Sequence, residues 1–305
     1  MVAPGAVDTA LVVVSHDTRA EVLGALDAVA ADPQAPPDLE VVVVDTGSRD
    51  GTAGAARAHP LRPRLLELDN CGFGRAANAG MRATSAPVVV LINADVRPRA
   101  GALRHLAAAL EADDRLAAVG PQVRYPSGVL QASARRQLDA RTLLGHGLLG
   151  RLAPGNRWTR RYHARDLDPE RPRDVDWLSG CALGLRRTAV EQIGGFDPGY
   201  FLYVEDLDLG ERLRAAGWRL GYEPAAVVEH RVGASTSRRP VRARLHHARS
   251  LDRHLARRLH GPARLLRPLL PVGLAGWVTL GVVLDRLRPG ASSTGERRDD
   301  GQGAA

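Results

Sequence analysis

Apolar residues recur along the first third of the chain in short unbroken runs: TALVVVS (9–15), LEVVVVD (39–45), RLLEL (64–68) and PVVVLIN (87–93). Between them lie RAEVLGALDAVAA, GTAGAARA and GRAANAGMRA, which read as amphipathic helices. Strands that are apolar along their whole length, alternating with helices, predict an α/β fold whose mostly parallel, Rossmann-like sheet carries helices on both faces. Ligands of such sheets sit at the carboxyl ends of the strands. Three of the runs end there in polar residues, Ser15-His16-Asp17, Asp45 and Asn93-Ala94-Asp95, so a site is expected at that edge.

Farther along, the pattern predicts a helix over 99–113 and a short strand near 117–123. The next stretch, 124–176, is rich in Arg, Pro and Gly, and its length marks a functional insertion or lid. Regular patterning returns at WLSGCALGLRR (177–187), followed by a helix over 188–193, the acidic segment FLYVEDLDLGER (201–212), a strand around 219–223 and VVEHRVGAS. Residues 241–258 read as a basic helix with apolar positions at Leu245, Leu251, Leu255 and Leu259. LLRPLLPVGLAGWVTLGVVL (265–284) has the length of a membrane span, but Arg267, Pro268 and Pro271 interrupt it and favour an interfacial or re-entrant segment. Two ordinary helices packed on the domain are the competing reading. The expected organisation is a catalytic unit over 1–237 (halves 1–98 and 99–237), a basic and apolar helical segment over 238–290, and a disordered tail over 291–305.

Composition sharpens this picture in two places. All 42 basic residues are Arg, and the formal charge of +8 is unevenly distributed: Arg238 to Gly290 holds twelve arginines against Asp252 and Asp285. A basic segment joined to a long apolar stretch suits an anionic membrane surface better than nucleic acid. The two cysteines, Cys71 and Cys181, allow neither a disulfide framework nor a four-Cys metal site, and are expected to be buried packing residues. The first apolar run is too short for a signal peptide and no basic residue precedes it, so the expected location is the cytoplasmic face of the cell membrane.

The acids of 201–212 divide by spacing. Asp208 stands four residues before Arg212 and Glu211 three before Arg214, which predicts solvated helix pairs. Glu205 and Asp206 have no such partners; a helix macrodipole accounts for them, and so does chemistry. Asp45 can accept the imide N–H of a uracil or thymine, while Asp50 is equally explained as a helix cap. Asn93-Ala94-Asp95 offers an amide and a carboxylate to a divalent cation, or forms a simple turn. A nucleotidyltransferase needs a Gly-rich loop after the first strand, and SHDTRAEV has no Gly. His246, His247, His254 and His260 read as surface residues.

Taken in order, VVVVDTGSRDGT, DNCGFGRAANAG, INADV, WLSGCALGLRR, GGFDPGYFLYVEDLDLGERLRAAGW and EHRVGAS resemble the motifs of the family 2 glycosyltransferases with the A-type fold, from about Leu11 to Thr236. GPQVRYPSG, SARR, NRWTRRY and DVDWLSG extend the similarity towards the actinobacterial rhamnosyltransferases of that family. The resemblance implies an inverting, metal-dependent transfer of L-rhamnose from dTDP-rhamnose to a polyprenyl-diphosphate-linked N-acetylglucosamine. Its alternatives are another UDP- or dTDP-sugar donor, or an inactive membrane scaffold.

Carried onto this sequence, the resemblance makes Asp206 the catalytic base with Glu205 in support, and Asp45, Asn70, Gly72, Phe73, Asn78, Asn93, Asp95 and Ser235 the nucleotide-sugar site. Asp95 and His230 would hold Mg²⁺ or Mn²⁺. Trp177, Ser179, Gly180 and Arg135, with Arg136 beside it, would meet the acceptor. Three positions depart from the family pattern: Asn93 replaces the first acid of D-x-D, Thr46 follows Asp45 in place of Asn, and His16-Asp17 replaces the frequent Asn-Tyr.

Overall fold

The computed structural model describes residues 8–135, 153, 155–162, 168–231, 240–259 and 261–286. The four apolar runs form strands β1 (Thr9–Ser15), β2 (Glu40–Asp45), β3 (Arg64–Glu67) and β4 (Val88–Asn93). Helices α1 (Arg19–Ala30), α2 (Thr52–Arg57) and α3 (Phe73–Arg82) separate them. Then follow β5 (Val96–Pro98), α4 (Ala102–Ala112), β6 (Leu116–Arg124), β7 (Leu130–Gln131) and β8 (Ala134–Arg135). After α5 (Arg157–Tyr162) come β9 (Arg173–Val175), β10 (Trp177–Leu178), β11 (Ala182–Arg186), α6 (Arg187–Gln192), α7 (Glu205–Ala215) and β12 (Arg219–His230). The described chain ends with α8 (Pro240–Arg258), a 3₁₀ turn over Gly261–Leu266 and α9 (Leu269–Arg286).

The main sheet runs β3-β2-β1-β4-β11-β6-β12-β5. Its first four strands are all parallel, as their unbroken apolar character predicts, and their Val, Leu and Ile side chains fill cores on both faces. The second half is mixed, because β11 lies antiparallel between β4 and β6. Helix α3 packs so closely on the sheet that a Cβ on Gly80 would stand 2.4 Å from Val12 Cγ1. Strand order reverses between β1 and β4, since β2 and β3 follow β1 to one side and β4 lies on the other. A crevice opens at such a switch point, outside the carboxyl ends of the strands.

One pairing brings together residues far apart in sequence. Strand β12 runs seven residues past the predicted strand end at 223, and its last residues pair antiparallel with β5, setting His230 opposite Val96. Arg231 N–H then donates to the Asp95 carbonyl at 3.0 Å. Asp95 and His230 are thereby placed side by side by backbone register.

The C-terminal helices carry three findings that differ from the sequence expectations. Asp208 is buried, and takes Arg212 Nε at 2.7 Å together with Arg257 of α8 at 3.5 Å. Glu211 pairs with Arg258 and His254 of α8, while Arg214 finds Asp176 at 3.1 Å. Neither acid is a solvated helix residue, because α8 covers that face of α7. His254 is likewise buried, with its imidazole held down to about 4 by burial and then by the nearby arginines; His246 and His247 pack on Phe201 and Tyr203. His260, Arg136 and Ser235 lie outside the described residues. Cys181 is buried as expected, whereas Cys71 is only partly covered.

Candidate active site

A cavity of about 450 Å³ lies over the carboxyl ends of β1 and β4. Asn70, Gly72, Phe73, Asn93, Asp95 and His230 line it, together with Ser15 to Thr18 and Thr46 from the β1 and β2 ends. Gly72 has φ +86°, and a Cβ there would meet the Phe201 carbonyl at 2.3 Å. Only glycine lets α3 begin against that loop, where Phe73 N–H donates to the same carbonyl at 3.0 Å.

Two predicted nucleotide residues are placed elsewhere. Asn78 spends its amide on the backbone of Phe196, donating to its carbonyl at 2.8 Å and accepting its N–H at 2.9 Å, so it ties α3 to the 195–196 turn and does not line the cavity. Asp45 is 2% exposed and does not line it either. Its carboxylate accepts Ser48 N–H at 3.0 Å, the Ser48 hydroxyl, and Ser15 Oγ at 3.2 Å. Thr46 and His16 line the cavity instead. Asn70 donates to His16 Nε2 at 3.1 Å, which leaves Nδ1 to carry the proton and donate to the Thr46 carbonyl at 2.8 Å.

His230 Nε2 faces Asp95 Oδ1 at 3.4 Å. Two ligand atoms each about 2.1 Å from one cation sit roughly 3 to 3.5 Å apart, so this pair fits as two adjacent ligands of a divalent ion. Gln131 Oε1, 3.0 Å from His230 Nδ1, accepts the ring proton and leaves Nε2 facing Asp95. Sequence reading missed Gln131, since nothing local distinguishes it. With no cation the pair is an ion pair: burial disfavours the imidazolium, but Cys181 and Asp95 outweigh it and raise His230 to about 10. Among the described residues no cluster of three or more His, Cys, Asp and Glu side chains forms a self-sufficient metal site.

Glu205 and Asp206 occupy a neighbouring cluster. Asp206 Oδ2 accepts Gly180 N–H at 2.8 Å and Oδ1 accepts Leu207 N–H at 2.8 Å. The β8–β10 ladder pairs Arg135 with Trp177, and the guanidinium lies 5.2 Å from the indole centroid. Ser179 N–H donates to the Ser133 carbonyl at 2.8 Å, fixing the turn that presents Gly180. The two clusters share the loop Phe201 to Val204, whose first three residues line the cavity and whose last launches α7. Tyr203 and Val204 hold φ of 66° and 72°, a region that costs an L-residue of this kind about 1–2 kcal/mol each.

The pair divides one charge. Burial, then the Asp206 carboxylate, push Glu205 up to about 8, and its Oε2 has no hydrogen-bond partner. Burial raises Asp206 as well, but two N–H donors favour its anion, so the proton resides on Glu205. The native state therefore binds a proton that the unfolded chain releases near 4.5, and stability falls as pH rises from about 4.5 through about 8. Glu205→Gln keeps the neutral form and is expected to flatten that slope and raise Tm at pH 8 by about 4 °C or more. Thermal melts between pH 5 and 8 check it; an unchanged slope would mean that Glu205 is charged at neutral pH.

The match to known proteins agrees with this architecture. Residues 10–194, more than half of the chain, match the family model described as Glycosyl transferase family 2. The chain belongs to that family. It is 39% identical over 236 residues to N-acetylglucosaminyl-diphospho-decaprenol L-rhamnosyltransferase of Mycobacterium tuberculosis, covering 73% of this chain and 76% of that one. Two solved structures share the fold. Mannosyltransferase PcManGT from Pyrobaculum calidifontis, in complex with GDP-Man and Mn²⁺, has a TM-score of 0.54 at 22% identity over 89% of this chain and 69% of that one. GalNAc-T7 with UDP, GalNAc and Mn²⁺ has a TM-score of 0.55 at 14% identity over 75% of this chain and 44% of that one. This chain is a family 2 glycosyltransferase with an A-type-like α/β fold.

Proposed function

We propose that this glycosyltransferase moves L-rhamnose from dTDP-rhamnose onto polyprenyl-diphosphate-linked N-acetylglucosamine, with inversion at the anomeric carbon. The observation that carries the chemistry is the Asp95–His230 corner on the floor of a cavity with the volume of a nucleotide-sized ligand. The choice of sugar and acceptor is supported by the 39% identical relative.

Asp206 takes the proton of the attacking acceptor hydroxyl as its oxygen bonds to the anomeric carbon, and the bond to the donor diphosphate breaks. Neutral Glu205 leaves Asp206 as the one anion of the pair. Asp95 and His230 would hold Mg²⁺ or Mn²⁺, which when bound would neutralise negative charge on the leaving nucleoside diphosphate. Two solved relatives carry Mn²⁺ beside a nucleotide, which supports the manganese reading. Arg135 and Trp177, beside the Gly180 turn, form the acceptor side.

The acceptor lipid implies work at a membrane surface. Among the described residues no helix is long and apolar enough to cross a membrane. Among the described residues, five of the seven large apolar side chains that stand exposed, Val241, Leu245, Leu265, Leu269 and Val272, belong to the C-terminal helices and the turn between them, amid the arginine excess. This supports peripheral attachment to anionic lipid on the side where donor is made.

The test is a donor panel, dTDP-rhamnose against UDP-hexoses and UDP-galactofuranose, with the acceptor held in anionic or zwitterionic vesicles. Turnover confined to dTDP-rhamnose, and faster on anionic vesicles, is the expected result. Preferred use of a UDP-hexose would replace the donor assignment.

A further inference from the structure

The cavity has a wall that the family match does not cover. The match stops at residue 194, yet Arg242, Ala243 and His246 of α8 line the cavity whose floor carries Asp95 and His230. Helix α8 is seated firmly there. Asp197 takes Arg253 at 3.0 Å and Arg257 at 2.6 Å, Ser250 Oγ donates to the Leu202 carbonyl at 2.9 Å, and Phe201 stacks on His246 with ring centroids 4.4 Å apart. Behind it, His247 meets Trp277 of α9 edge-on at 5.4 Å. The first turn of α8 is thus held over the same loop that leads into Glu205 and Asp206.

From this we infer that α8 completes the donor site, and that Arg242 binds the diphosphate of the nucleotide donor. The inference rests on the donor reading above and deepens it. Its physical basis is charge balance. A nucleoside diphosphate brings two to three negative charges, and the cavity's own acids, Asp17 and Asp95, add to them. One divalent ion cannot offset that sum in a half-closed site. Among the described residues lining the cavity, Arg242 is the only arginine, and no lysine exists in the chain. A guanidinium pairs with phosphate oxygens through parallel N–H donors, and the N-terminal turn of a 19-residue helix adds the positive end of its dipole. Burial first, then Arg242 and Arg249, hold the His246 imidazole below its ordinary value, so it adds no cation of its own beside Arg242 at neutral pH.

Part of the basic excess after residue 237 anchors α8 through Asp197, Asp208 and Glu211, and one member, Arg242, lines the cavity.

The experiment is titration calorimetry of full-length protein with dTDP and with dTMP, each at saturating Mn²⁺. Arg242→Gln is expected to weaken dTDP binding about 10- to 100-fold, the value of one charge-assisted contact, and dTMP binding less than about threefold. Arg242→Lys should recover part of the loss, because it restores charge without the fork. Arg82→Gln, which removes one positive charge from the exposed end of α3, should stay within about twofold of the parent and so excludes a bulk charge effect. Equal dTDP affinity in Arg242→Gln and parent would overturn the inference. So would an equal loss for dTDP and dTMP, which would assign α8 to general closure of the cavity. A parent protein that binds no nucleoside diphosphate at all would overturn the donor reading itself, a result distinct from either of these.

Discussion

Replacing Asp206 with asparagine is expected to lower kcat by about 10²- to 10⁴-fold while leaving donor affinity within a few-fold of the parent. The expectation follows from where the carboxylate sits. Asp206 does not line the donor cavity, and its two oxygens are oriented by Gly180 N–H and Leu207 N–H, contacts that the carbonyl oxygen of an asparagine can keep in part. The substitution therefore removes basicity with little change of shape. Single-turnover transfer with pre-bound donor measures the chemical step, and calorimetry with dTDP measures the site next door. Loss of both together would indicate that Asp206 supports the Phe201 to Val204 loop, and undiminished turnover would remove it as the base. Backbone strain at Tyr203 and Val204 makes that distinction necessary, since strained segments at sites transmit small changes.

A graded loss of metal-supported nucleotide binding is the second large effect expected. His230→Ala deletes one of the two proposed protein ligands, and Gln131→Leu leaves that imidazole but removes the acceptor that holds its ring proton on Nδ1. Losses from such outer partners run about 10- to 100-fold in metal affinity, and loss of the ligand itself exceeds them. The expected order of Mn²⁺ concentration needed for half-maximal dTDP binding is thus parent, then Gln131→Leu, then His230→Ala. Asn93 adds a constraint: with an amide where a second acid would contribute charge, tight Mn²⁺ binding in the absence of nucleotide is not expected in any of the three. Identical Mn²⁺ requirements in parent and His230→Ala would separate the Asp95–His230 pair from metal binding and leave it a structural ion pair.

Much of the first hundred residues was legible because the strands there are buried on both faces. A strand such as EVVVVD has no polar side to hide, so its apolar run marks both its length and its parallel, helix-covered neighbours. The strand ends were legible for the same reason: the first polar residue after such a run, Ser15 or Asn93, closes the strand at the crevice. Asp45 shows the limit. Being last in the strand placed it at the right edge, but Ser15 and Ser48 engage its carboxylate below the surface, and that depends on how two loops settle against each other.

Helix spacing misled in a comparable way. Asp208 and Glu211 sit one turn before arginines, and periodicity along a single helix contains no information about a second helix lying across it. Helix α8 arrives from thirty residues downstream and buries Asp208 with Arg257. His254 looked like a surface histidine until the same packing covered it.

By itself, the sequence determined the alternation of buried strands and helices, the crevice edge, the ordered motifs of a family 2 glycosyltransferase and the basic, apolar character of the C-terminal segment. These rest on local period and composition, which a chain carries whatever its folded partners. Only the tertiary structure decided that β5 and β12 bring Asp95 to His230, that Gln131 orients the imidazole, that Asn78 and Asp45 face backbone and serines, and that α8 closes the cavity with Arg242. Each of these is a contact between segments distant in sequence, set by strand register and by which helix lies over which loop.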